Sequence, residues 1–112
     1  MKNILLQRGD LVVCAVSGDY GKPRPAVVVQ SDLFNETHQS VTLCPITTHL
    51  VDASLFRLSL LPNPQNGLIE NSQIMVDKIS SVHRDKIRQK IGSLSAGSIR
   101  KLNEALSLWL AL

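Results

Sequence analysis

Arg8-Gly9-Asp10-Leu11-Val12-Val13-Cys14-Ala15-Val16 and Arg24-Pro25-Ala26-Val27-Val28-Val29-Gln30 are the stretches on which the fold of this chain turns. Each is short, nearly continuously apolar and rich in β-branched residues, which is the pattern of a buried strand rather than a helix. Strands are therefore expected over Asp10 to Val16 and over Ala26 to Gln30, joined by the Gly-rich loop Ser17-Gly18-Asp19-Tyr20-Gly21-Lys22. Pro23 and Pro25 bracket Arg24 and stiffen the loop exit, because each proline fixes its own φ and pushes the residue before it toward extended backbone. Arg24 should thus enter its strand already oriented.

The rest of the chain supports the same class. Ser31 and Asp32 are placed to cap a short helical turn through Phe34 and Asn35, before the polar loop Glu36 to Gln39. Further strands are expected at Val41 to Ile46, Phe56 to Leu61, Gln73 to Val76 and Ile79 to His83, with the strongest turn at Pro62-Asn63-Pro64-Gln65-Asn66-Gly67. Ser95 reads as the N-cap of a helix through Leu110, on which Ile99, Leu102, Leu106, Trp109 and Leu110 recur at helical spacing. Five or six short strands closed by one terminal helix predict a mainly β, β-rich α+β fold: a small, strongly curved antiparallel sheet or half-open barrel.

Composition bounds the function. At 112 residues, 44% hydrophobic and 19% charged, the chain reads as one folded domain spanning 1–112. Its net charge of +3 is unevenly spread: Lys78, Arg84, Lys86, Arg88 and Lys90 face only Asp85 within Lys78 to Lys90, a local footprint for a polyanion. Cys14 and Cys44 each lie in an apolar run without paired histidines or a C-x-x-C, so both are expected as free buried thiols, with no metal and no cofactor. Neither a signal peptide nor a membrane span is evident, which points to the cytoplasm and away from a membrane partner.

An arginine at one strand mouth and a hydroxyl at the end of another suit the gripping of a phosphodiester, because guanidinium holds phosphate oxygens through a planar fork. Arg24 and Thr47 are that pair, and the expectation they raise is a small metal-independent ribonuclease. Thr48 should face the opposite way by strand alternation. His49 lies two residues past Thr47 and is the candidate general base; Asp19 and Asp77 are the competing carboxylates, with a surface ion pair to Lys78 the ordinary alternative for Asp77. Single-stranded RNA binding combines cations with stacking rings, so Tyr20, Lys22, Gln30, Ser31, Thr48, Lys78, His83 and Arg84 are candidate RNA contacts, with Asn35 a further polar loop group. His38 is given no role.

The ordered set R-G-D-L-V from Arg8, K-P-R-P-A-V-V-V-Q-S-D from Lys22, L-C-P-I-T-T from Leu43, I-M-V-D-K-I from Ile74, I-G-S-L from Ile91 and the ending A-L-S-L-W-L-A-L resembles the MazF/PemK/Kid family of toxins from bacterial type II toxin–antitoxin systems. The resemblance implies an SH3-like barrel of the CcdB/PemK kind. It also implies a sequence-selective, ribosome-independent endoribonuclease that cleaves single-stranded mRNA by 2′-hydroxyl attack, leaving a 2′,3′-cyclic phosphate, and so arrests translation and growth. It further implies a homodimer neutralised by a cognate antitoxin with a disordered acidic C-terminal segment, DNA being met only through that antitoxin. Arg24 and Thr47 match the main catalytic pair and Asp77 an assisting aspartate. Met75 stands where some members carry an arginine, and the first loop is shorter than in many. Two other classes fit the expected fold: a CcdB-like non-catalytic toxin that binds DNA gyrase through its C-terminal residues, and a generic SH3-like nucleic-acid-binding module. The first has no need of an Arg24/Thr47 pair.

Overall fold

A computed structural model describes residues 4–15 and 22–112. Its elements are β1 (Asp10–Ala15), β2 (Pro23–Val28), α1 (Asp32–Asn35), β3 (Ser40–Thr47), β4 (Arg57–Leu60), β5 (Ser72–Met75), β6 (Ser80–His83), β7 (Ile87–Ser93) and α2 (Ala96–Leu110). The strands form a seven-stranded sheet in the order β4-β5-β3-β2-β1-β7, with β6 also on β3. Every pairing is antiparallel. The path runs from β4 to β7 without closing, as the half-open expectation had it.

β3 organises the sheet. One of its edges pairs with β2, while the other is shared: Ser40 to Leu43 pair with β6 and Ile46 and Thr47 with β5. A 3-10 turn at Val76–Lys78 separates β5 from β6 and lets one stretch of chain line both halves of that edge.

The sheet buries both faces, and alternation along each strand sorts its residues between two clusters. Leu11, Val27, Cys44, Ile46, Ile74 and Val76 pack with Leu102 and Leu106 of α2 on one face. Val12, Cys14, Ala26, Val28, Val41, Leu43 and Ile87 form the other cluster, closed partly by Ile4 and Leu6. Ser95 caps α2 as expected, its hydroxyl accepting the Ser98 N–H at 3.1 Å. The helix face differs at its end: Leu102 and Leu106 are buried, but Trp109 and Leu110 emerge to the surface, with Trp109 resting against the Phe56 ring at 5.7 Å.

β7 is the seventh strand that the sequence reading did not assign. Ile-Arg-Gln-Lys-Ile-Gly-Ser carries three polar residues in a row, and only Ile87 of the strand is fully buried. It is an edge strand, where charge guards an open row of backbone groups, and its register against β1 shifts twice, which breaks the alternation a reader looks for. The Asn63 to Gly67 turn presses onto it. The Ser93 N–H donates to the Gln65 carbonyl at 2.9 Å, and a Cβ at Gly92 would collide with the backbone of Gln65 and Asn66. Backbone cannot swing aside as a flexible side chain does, so Gly92→Ala is expected to cost about 2 kcal/mol of stability by overpacking, measured by urea unfolding.

Candidate functional site

The ladder between β2 and β3 joins Val28↔Leu43, Val27↔Cys44 and Ala26↔Pro45, and there it ends. Pro25 and Pro45 explain the end, since neither has an N–H to give to a further rung. Continuing the register two residues brings Arg24 opposite Thr47. Both lie on the face of Ala26, Val28, Val41 and Leu43, because side chains two apart on a strand point the same way. On the other side Arg24 pairs with Cys14 of β1, a member of the same cluster. Arg24 is exposed and Thr47 half-buried, so a cation and a hydroxyl share one face of the sheet at neighbouring strand ends.

The chain bends immediately after Thr47. The His49 N–H donates to the Thr47 Oγ1 at 3.0 Å, which uses a lone pair of the hydroxyl and leaves its proton to be donated elsewhere. Because β3 ends at Thr47, strand alternation no longer governs Thr48 or His49. The two-residue spacing therefore does not by itself put His49 on the face of Thr47; the hydrogen-bonded bend is what keeps it adjacent. Thr48 likewise is an exposed bend residue rather than one set to the opposite face.

Residues 7–110 match the family of PemK-like, MazF-like toxins of type II toxin–antitoxin systems. The chain belongs to that family. It is 37% identical to a probable endoribonuclease MazF of Mycolicibacterium smegmatis over 108 residues, covering 96% of this chain and 98% of the relative. Against the endoribonuclease EndoA of Bacillus subtilis the identity is 26%, with 97% of each chain covered. In fold it superposes on a mycobacterial endoribonuclease solved with its cognate antitoxin, with a TM-score of 0.82, 20% identity and 96% of both chains covered. A MazE-MazF structure from Deinococcus radiodurans gives a TM-score of 0.81 at 20% identity, covering 98% of this chain and 99% of that one.

For a toxin of this family the surroundings of the remaining candidates are informative. Asp77 pairs with Arg57 of β4. Its Oδ1 lies 3.5 Å from Arg57 Nε, both side chains are largely buried, and Arg57 lines a shallow groove of about 260 Å³ with Lys101, Ala105 and Leu108 of α2. The partner of Asp77 is thus Arg57 rather than the neighbouring Lys78.

Several residues expected at RNA hold the fold instead. The Gln30 Oε1 accepts the Thr42 N–H at 3.1 Å while its Nε2 donates to Asn35 Oδ1 at 3.1 Å. The buried Asn35 donates in turn to Asp32 Oδ1 at 2.8 Å and to the Gln30 carbonyl at 3.1 Å, and the Ser31 hydroxyl caps α1 by accepting the Leu33 N–H at 3.2 Å. Arg84 reaches back 46 residues to donate from Nε and Nη2 to the His38 carbonyl at 3.1 and 2.8 Å, and from Nη2 to the Asn35 carbonyl. His83 Nδ1 accepts the Asp85 N–H at 3.1 Å, and His38 Nδ1 accepts the Ser40 N–H at 3.1 Å. Gln30, Ser31, Asn35 and Arg84 therefore knit the α1 turn to β3 and β6, because a side chain whose polar atoms are already paired has little left to offer a base. Lys90 is also engaged, 3.2 Å from the buried Asp10 carboxylate. Lys22, Lys78, Lys86 and Arg88 remain on the surface. Tyr20 and Asp19 lie outside the described residues.

Among the described residues no three His, Cys, Asp or Glu side chains gather to hold a metal ion. Nor is any helix among them long and apolar enough to cross a membrane. Cys14 and Cys44 are both buried and form no disulfide.

Two outcomes follow from these contacts. Arg84→Lys keeps the charge and loses the fork, so it is expected to lower stability by about 1 kcal/mol in thermal unfolding while leaving RNA affinity unchanged. Burial pushes the Cys44 thiol up to about 12, with nearby Arg8 opposing and Asp77 adding to the rise. The folded state favours the neutral thiol, so its contribution is complete below the ordinary value of 9.0 and is lost as pH rises from there through about 12. At neutral pH Cys44 is expected to resist iodoacetamide in the native protein and to react only on unfolding, read by mass spectrometry of its peptide.

Proposed function

We infer that this chain is the toxin of a type II toxin–antitoxin pair and acts as a metal-independent endoribonuclease on single-stranded mRNA, with Arg24 and Thr47 as its catalytic pair. The observation that carries the reading is the β2–β3 register, which continued past Ala26↔Pro45 brings Arg24 opposite Thr47. A 2′-hydroxyl attacking the adjacent phosphorus needs one proton removed, one donated and a dianionic phosphorane stabilised. Arg24 supplies the positive charge aimed at the phosphoryl oxygens. Thr47 donates its free hydroxyl proton to a non-bridging oxygen and so orients the phosphate. His49, held at the bend, is suited to take the nucleophile's proton, and solvent water supplies the proton that the departing 5′-oxygen takes up as its bond to phosphorus breaks. Asp77 assists as a carboxylate held 3.5 Å from Arg57.

RNA is approached by the exposed bases Lys22, Lys78, Lys86 and Arg88, with Tyr20 as the stacking ring and Thr48 at the bend. An mRNA substrate and a cognate antitoxin fit a cytoplasmic protein. Leu108, Trp109, Leu110 and Leu112 are all exposed at the end of α2, and a second copy covers them in a homodimer. The mycobacterial relative solved with its antitoxin supports a like partner here, whose acidic disordered segment competes with RNA for the basic surface.

The test is purified protein with synthetic RNA and a matched all-deoxy strand in chelator. Cleavage of the RNA alone is expected, falling about 100-fold or more in Arg24→Ala and about tenfold in Thr47→Ala. Cutting of the all-deoxy strand, or full activity in both variants, would overturn the reading. Growth arrest that survives Arg24→Ala would instead favour gyrase binding.

A further inference from the structure

The row of side chains that faces Arg24 with Thr47 continues into β5. Thr47 pairs with Gln73, and Gln73 with Ser59 of β4. Ile74 belongs to the helix-side cluster, so its neighbour Gln73 turns to the face of Thr47. Gln73 does not reach into solvent: it is 7% exposed. Its Oε1 accepts the Val51 N–H at 3.1 Å and its Nε2 donates to the Val51 carbonyl at 2.8 Å. A carboxamide that meets both backbone groups of one residue imitates a strand rung, and two bonds fix orientation where one would pivot.

Between the strand end and Val51 lie Thr48, His49 and Leu50, all exposed. This loop is tied at its start by the His49 N–H on Thr47 Oγ1, at 3.0 Å, and at its end by Gln73. A buried strand position is better served by valine or isoleucine, because an amide buried without partners is costly. The glutamine is explained by Val51. We propose that Gln73 is a positioning residue of the active face: by clamping Val51 it holds the bend that aims the Thr47 hydroxyl at the scissile phosphate and keeps His49 beside it. The inference rests on the ribonuclease reading above, with the loop geometry testable apart from it.

Gln73→Met keeps the length and burial of the side chain and removes both bonds. Its kcat on RNA is expected to fall about tenfold with KM within about twofold, and the Thr47→Ala/Gln73→Met double variant to be no slower than Thr47→Ala alone, since both changes remove one function. Wild-type kcat in Gln73→Met, or a full second loss in the double variant, overturns the proposal. Amide hydrogen exchange tests the clamp without RNA: the Val51 and His49 amides are expected to exchange slowly in the native protein and about tenfold faster in Gln73→Met. Unchanged exchange sinks the clamp. Should the variant not fold, free-peptide exchange of Val51 in the native protein does the same. Absence of RNA cleavage by the native protein, or full activity of Thr47→Ala, fails the ribonuclease reading instead and leaves the exchange result to decide the loop.

Discussion

The antiparallel ladder between β2 and β3, and the place where it stops, is the constraint on which the rest of the molecule depends. Its three rungs set the register of the central strands, and that register assigns every residue of β2 and β3 to one face or the other. A slip by one residue would send Ala26 and Leu43 toward α2 and Val27 and Cys44 away from it. It would also part Arg24 from Thr47. The prolines that end the ladder, Pro25 and Pro45, leave the two strand ends without a rung between them.

The two faces of the sheet then divide the work. α2 covers one face with Leu102 and Leu106, on which the Cys44 thiol is buried. The other face carries Arg24, Thr47 and Gln73, with the loop after β3 folded over its end. Charge is divided as well. Of the five bases between Lys78 and Lys90, Arg84 is bonded to two carbonyls and Lys90, itself exposed, sits beside the buried Asp10 carboxylate. A count along the chain overstates the basic surface for this reason: arginine and lysine are fold-building donors as readily as they are ligands for a polyanion.

Polar residues near α1 make the same point. Gln30, Ser31, Asn35 and Arg84 are of types that bind nucleic acid, and nothing in their local sequence distinguishes a side chain bonded to the chain's own backbone from one offered to a base. Their partners are as distant as Thr42 and His38 are from Gln30 and Arg84, so the difference is visible only once the chain is folded. Gln73 is the converse case. It was legible only as the start of a strand, and its pairing with Val51 comes from 22 residues away.

What the chain determined by itself is what local pattern and short-range sterics control. The β-branched runs, the stiffening of Arg24 by its flanking prolines, the caps at Ser31 and Ser95, and the motif order that marks the toxin family all act within a few residues. Tertiary structure decided which of the polar groups are spent. It paired Asp77 with Arg57, made a strand of the charged Ile87–Ser93 segment by giving it an edge to join, and tied the loop after Thr47 to β5. These are pairings between residues far apart in sequence, and the free energy that selects them exists only when the sheet has brought them together.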